Sequence, residues 1–130
     1  MLPAKDRMIG LVGAIVSFGA AFVFGSIFVW IFYGTNVLKR DTYPYELTPA
    51  CFFMVCWTSV AGFGWLRVRQ GHLVAYRVLA LFHTFLCIFT FVAANHILLV
   101  VLAPVAIFCE MRYQAIKVTN LDGGSTPANQ

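Results

Sequence analysis

The sequence predicts an all-α integral membrane protein, a bundle of four membrane-crossing helices. Two compositional observations carry this. Apolar residues make up 61% of the chain and charged residues only 11%, against about 45–50% and 25% in soluble domains. So small a soluble fold could not hide that much apolar surface. The third observation is a stretch, Val78 to Cys109, that contains no charged side chain. As a single helix it would rise roughly 45 Å at about 1.5 Å per residue. A bilayer core is only about 30 Å thick and is crossed by about 20 residues. The only polar break lies at its middle, Ala93-Ala94-Asn95-His96, and asparagine tolerates the left-handed conformation that ends helices. The stretch therefore reads as two helices folded back in a tight hairpin at Asn95.

The first helix is expected over about 8–33. Met8 to Leu38 is free of charge, longer than the apolar region of about 7–15 residues in a signal peptide. Within it Gly13, Ser17, Ala21 and Gly25 recur every four residues. That spacing lines one helix face, and small residues there allow close backbone approach in lipid. Phe24, Phe28 and Phe32 form a second row at the same spacing. Whether the ridge meets a helix of this chain or of another is open from sequence. A polar loop follows, with Lys39, Arg40, Asp41 and Glu46, flanked by Trp30, Tyr33, Tyr43 and Tyr45 as expected at headgroup level.

The second helix is expected over about 49–66, with Thr48 as cap and Pro49 at the first helical position. Gly62, Gly64 and Trp65 mark its end. Arg67, Arg69, His72 and Arg77 make the next connection basic, a membrane-surface group from which Arg77 can snorkel. The third and fourth helices are expected over about 73–94 and 96–112. Pro104 interrupts the fourth and Glu110, Arg112 and Lys117 mark its exit. Residues 1–119 thus form one membrane domain, and 120–130, with Gly-Gly-Ser-Thr-Pro, a tail expected to be mobile.

Charge sets the expected orientation. With four spans Lys5, Arg7, Arg67, Arg69, Arg77, Arg112 and Lys117 share one side, and only Lys39 and Arg40 take the other. Short basic loops stay cytoplasmic, so both termini are expected inside, and the pattern suits a bacterial inner membrane. The net charge of +4 is explained by topology rather than by nucleic acid.

Chemistry has one candidate place. His72, Tyr76, His83, Cys87 and Thr90 fall within about a 60° arc of the third helix at 100° per residue, opposite a phenylalanine-rich face. His83 lies near mid-membrane, where ionisable groups are costly and point to function. Thr58 and Ser59 should lie at its depth, and their hydroxyls could satisfy a neutral imidazole. His72 and His96 lie roughly 15 Å along the axis from His83, so one chain offers no histidine pair for a haem. No metal set and no cofactor is expected. The cysteines, Cys51, Cys56, Cys87 and Cys109, are expected to be free. No carboxylate accompanies His83, and no nucleophile triad or phosphate loop is present.

The expectation is a non-catalytic membrane protein. It would act by helix–helix association with a membrane partner, as an accessory subunit, assembly factor or immunity protein. Its surroundings would be the lipid bilayer and a partner protein or a second copy. A homo-oligomeric solute transporter or channel with a polar path near His83 is the alternative. A redox subunit carrying a b-type haem is the second.

Overall fold

The computed structural model describes residues 2–36, 47–93 and 96–123. They form helices α1 (Ala4–Asn36), α2 (Leu47–Arg69), α3 (Val74–Val92) and α4 (His96–Gly123). Each is long and apolar enough to cross a membrane. Neighbours in the chain run antiparallel. Gly10 of α1 lies against Trp65 and Arg69 of α2, while Phe28 meets Phe52 at the other end. Trp65 meets Tyr76 across α2 and α3, and Phe53 meets Phe89. Arg77 sits over the Tyr113 ring at one end of α3 and α4, and Phe91 meets His96 at the other. The hairpin residue Asn95 lies outside the described residues, as do Tyr43, Tyr45 and the charged residues of the loop they flank.

The buried positions explain the bundle. On α3 they include Tyr76, Leu79, His83, Leu86 and Thr90; on α2, Thr58, Ala61, Trp65 and Val68. Steps alternate between three and four residues, the 3.5-residue repeat that keeps one seam facing a packed neighbour. On α1 the wholly or partly buried seam is Gly10, Ala14, Ser17, Ala21, Phe24, Phe28 and Ile31. A strict four-step ridge drifts off such a seam because four residues turn about 400°. This is why Phe32 is exposed while Phe28 is half-buried.

The helix ends differ from the sequence reading for identifiable reasons. α1 begins at Ala4 rather than Met8, because the backbone N–H groups of Asp6 and Arg7 both donate to the Pro3 carbonyl. α2 begins at Leu47, so Thr48 lies inside its first turn rather than capping it. It passes through Gly62 and Gly64 to Arg69 and stops at Gly71. There φ is 92°, the left-handed region open to glycine. The Gly71 N–H donates to Val68 O (2.9 Å) and the His72 N–H to Arg67 O (3.1 Å), a complete Schellman end. α4 continues past 112 to Gly123 because Tyr113 and Ile116 prolong the seam of Leu102, Ala106 and Cys109. The charges Glu110 and Arg112 therefore do not end the helix. Residues 120–123, expected in a mobile tail, are helical; the rest of that tail lies outside the described residues.

Packing is densest at the end where α1 starts. Leu2, Ala14, Trp65, Val68, Tyr76 and Ile116 belong to one core there. The space around Gly10 shows how close the helices come: a Cβ would stand 2.9 Å from the Trp65 carbonyl oxygen. A Cβ on Gly13 would stand 2.6 Å from the Trp65 ring, and one on Gly62 would stand 2.8 Å from Phe18. The partner of the N-terminal half of the small-residue ridge is thus α2 of the same chain. Gly25 is looser, with Val55 at 3.9 Å from its hypothetical Cβ.

Candidate functional site

Two features stand inside the bundle: a cleft around His83 and a buried ion pair below it. α1 packs on α2, α2 on α3, and α3 on α4, but among the described residues the backbones of α1 and α4 do not come together. A cavity of about 390 Å³ lies between the two helix pairs. Its walls include Ser17, Phe24, Trp57, Thr58, His83 and Val105, so all four helices contribute.

His83 is 2% exposed. Its Nδ1 stands 2.8 Å from the Leu79 carbonyl oxygen. A carbonyl only accepts, so Nδ1 carries the hydrogen. The Trp57 indole N–H donates to Nε2 at 3.4 Å, a long bond. The Trp57 and Phe82 rings meet the imidazole edge-on, with centroids 6.3 Å and 5.5 Å away. The neutral imidazole therefore has a partner for each nitrogen. An imidazolium would set a second N–H against the indole N–H, donor against donor.

The partners are not those expected from sequence. Thr58 donates to Met54 O at 2.6 Å, on its own helix, and Thr90 likewise to Leu86 O at 2.9 Å. Serine and threonine hydroxyls commonly close on the carbonyl four residues back. Ser17, Thr58 and His83 do share the cavity. Ser59 and Cys87 are half-buried outside it, and Thr90 is buried further along α3. Of the ridge, Gly13 and Ser17 line the cavity, Ala21 is half-buried, and Gly25 faces an outer groove. Arg67, Arg69 and Arg77 are exposed, with Arg77 5.4 Å from the Tyr113 ring centroid.

Tyr76 belongs to the second feature. Its hydroxyl donates to Asp6 Oδ1 at 2.8 Å. Arg112 donates to the same oxygen through Nε (3.0 Å) and Nη2 (2.8 Å), and through Nη2 to Oδ2 at 2.7 Å. Asp6 is fully buried, and the Arg112 side chain is 33% exposed. One carboxylate thus ties α1 to α3 and α4 where the α1 and α4 backbones stay apart. The arginine end of the pair remains in reach of the surface. Sequence reading put Arg112 at the exit of the fourth helix, gave Asp6 no part, and so missed this. The available signal was opposite charge at equal depth, which an up-down-up-down topology gives to residues near the start of α1 and the end of the apolar part of α4.

Among the described residues, no three His, Cys, Asp or Glu side chains converge to hold a metal ion. The four cysteines are free thiols, with Cys51 and Cys109 buried. No cysteine hydrogen-bonds to His83, whose partners are Leu79 and Trp57. Comparison with protein-family models, curated proteins and solved structures finds no match.

Proposed function

We propose that the chain is an integral protein of a bacterial inner membrane, with the Asp6–Arg112 end of the bundle on the cytoplasmic side. Lys5, Arg7, Arg67, Arg69, Arg77, Arg112 and Lys117 gather at that end, and basic segments stay cytoplasmic. α3 and α4 form a tight hairpin at the other side; the Phe91–His96 ring contact at 6.0 Å supports it.

In this reading the protein is not an enzyme and acts by helix–helix association with another membrane protein, as an accessory subunit, assembly factor or immunity protein. The observation that carries it is the outer face of α1. Only 6% of the residues in its most apolar stretch are buried, against 22–39% in the other helices. That face carries a shallow, open groove on α1 itself, where Gly25 and Ser26 lie among Phe22, Val29, Trp30 and Tyr33. Small residues between aromatic walls admit a side chain or backbone of a second helix. The inward ridge no longer speaks for an outside partner, since α2 occupies its N-terminal half.

A second reading, a homo-oligomeric transporter or channel, draws support from the cavity beside His83. Two observations weigh against it. The imidazole has a partner at each nitrogen, and the hydroxyl of Thr58 is held by its own helix. A b-type haem would need a second ligand from outside this chain.

The test is a photo-crosslinking side chain placed at Ser26 in α1 or at Ile88, an exposed position on α3. The association reading expects one discrete protein adduct at Ser26 and none at Ile88. Lipid adducts alone at both positions contradict it. An adduct with a second copy of the chain would favour the homo-oligomeric reading.

A further inference from the structure

The outer side of the α2–α3 junction carries a feature that neither His83 nor the α1 groove accounts for. On this side α2 and α3 leave a groove of about 470 Å³, within the about 300–1,000 Å³ range of ligand sites. Its walls are apolar: Val60 and Phe63 from α2, Val78 and Phe82 from α3. Within it Leu79 lies against Gly64, where a Cβ would collide with the leucine side chain. At one end the groove reaches Arg67 and Gln70 and joins a second hollow lined by Arg67, His72 and Val74.

The polar end is organised. The Schellman turn at Gly71 folds His72 back so that its N–H bonds to the Arg67 carbonyl. The Arg67 guanidinium donates through Nη1 to Gln70 Oε1 at 3.4 Å, which leaves most of its five N–H groups available. Arg67 has no carboxylate partner among the described residues. α3 begins beside it at Val74, so the positive end of that helix dipole faces the same hollow. The whole is a cationic head on an apolar slot, and basic pockets between membrane helices on the cytoplasmic side bind anionic headgroups. The hollow beside Arg7 and Arg69 has comparable charge, but only Met8 and Leu11 to hold a chain.

We propose that the α2–α3 groove binds one anionic phospholipid, with its phosphate on Arg67 and an acyl chain along Phe63, Gly64, Val78 and Phe82. Gln70 positions the guanidinium, and His72 lies at the headgroup. The proposal rests on the membrane reading above. Arg67 and Val78 are both exposed, so substitutions there leave the packed core intact.

The experiment is native mass spectrometry of the full chain released from nanodiscs of equal parts phosphatidylglycerol and phosphatidylcholine. One retained phosphatidylglycerol per chain is expected. Arg67→Gln should lower retention about fivefold, the equivalent of about 1 kcal/mol for one basic group near the surface. Arg69→Gln removes the same charge two residues away and should change retention by less than about twofold. Val78→Trp fills the groove with all charges in place and should lower retention as far as Arg67→Gln. Equal losses in the two arginine variants, or an unchanged Val78→Trp, would reduce the effect to surface charge and overturn the site. So would equal retention of the two lipids. Carbonate extraction of cell membranes separates the two levels. A chain released into the aqueous phase refutes membrane integration itself. A chain that stays with the membrane and shows no lipid preference refutes only the groove.

Discussion

Replacing Arg112 by glutamine withdraws three of the four hydrogen bonds that Asp6 accepts. It leaves a fully buried carboxylate without its counter-charge, with the Tyr76 hydroxyl and a neutral amide as its donors. Breaking a buried pair from one side costs about 3–5 kcal/mol because the remaining charge is uncompensated. Since the Arg112 side chain is 33% exposed, water reaches the pair and the lower end, about 3 kcal/mol, is expected. Asp6→Asn is milder. Arg112 can turn its guanidinium outward, and the new amide can still accept from Tyr76, so about 1–1.5 kcal/mol is expected. The double variant holds two neutral amides that can bond to each other. It should cost less than the two single changes added together, by about 1–2 kcal/mol. The assay is detergent-denaturant titration of the purified chain in mixed micelles, followed by helical circular dichroism. The argument fails if Asp6→Asn destabilises as much as Arg112→Gln, or if the two effects simply add. Either result would mean that Asp6 is not the buried charge joining α1 to α4.

The other expectations concern helix contacts. Gly10→Ala should destabilise by about 1–3 kcal/mol through overpacking against the α2 backbone. Gly19→Ala, where a Cβ meets nothing within 4 Å, should be neutral or stabilising by up to about 1 kcal/mol; thermal unfolding of the two variants side by side decides. Gly71→Ala forces a side chain into a φ of 92° and should cost about 1–2 kcal/mol, with Gly71→Asn recovering part of it; a wild-type melting point for the alanine variant would refute the Schellman end. Trp57→Phe leaves His83 Nε2 without its donor and should cost about 1 kcal/mol; no change in the same titration would show that the 3.4 Å bond contributes nothing.

α1 and α2 were legible as long apolar runs between charged segments, and α3 and α4 because one uncharged stretch, too long for a single crossing, breaks at Ala93-Ala94-Asn95-His96. Of the arc read on α3, Tyr76, His83 and Thr90 are buried, since residues at matching helical angles share a face whatever packs on it, whereas Cys87 is half-buried and His72, ahead of the helix, is exposed. What the arc meets was not legible. Trp57 reads from sequence as one more apolar residue, and its N–H finds His83 only once α2 and α3 are in register. Thr58, expected to serve the imidazole, closes on its own helix instead. The end of α4 was misread because charge was taken to end a helix. Ile116, 7% exposed, shows the seam running on beyond Arg112. The Asp6 clamp depends on three residues from three helices, separated by as many as 106 positions. Local pattern cannot show such a contact, although the topology it belongs to could be inferred.

The most direct test of the association reading is native mass spectrometry of the chain extracted gently from its own membrane, as wild type and as Ser26→Trp. The account predicts a different polypeptide bound in fixed ratio to the wild type. It also predicts loss of that polypeptide when tryptophan fills the groove between Phe22 and Trp30, with the chain itself still folded. The chain alone, or a complex indifferent to Ser26→Trp, would contradict it. A complex made only of copies of this chain would turn attention to the cavity beside His83.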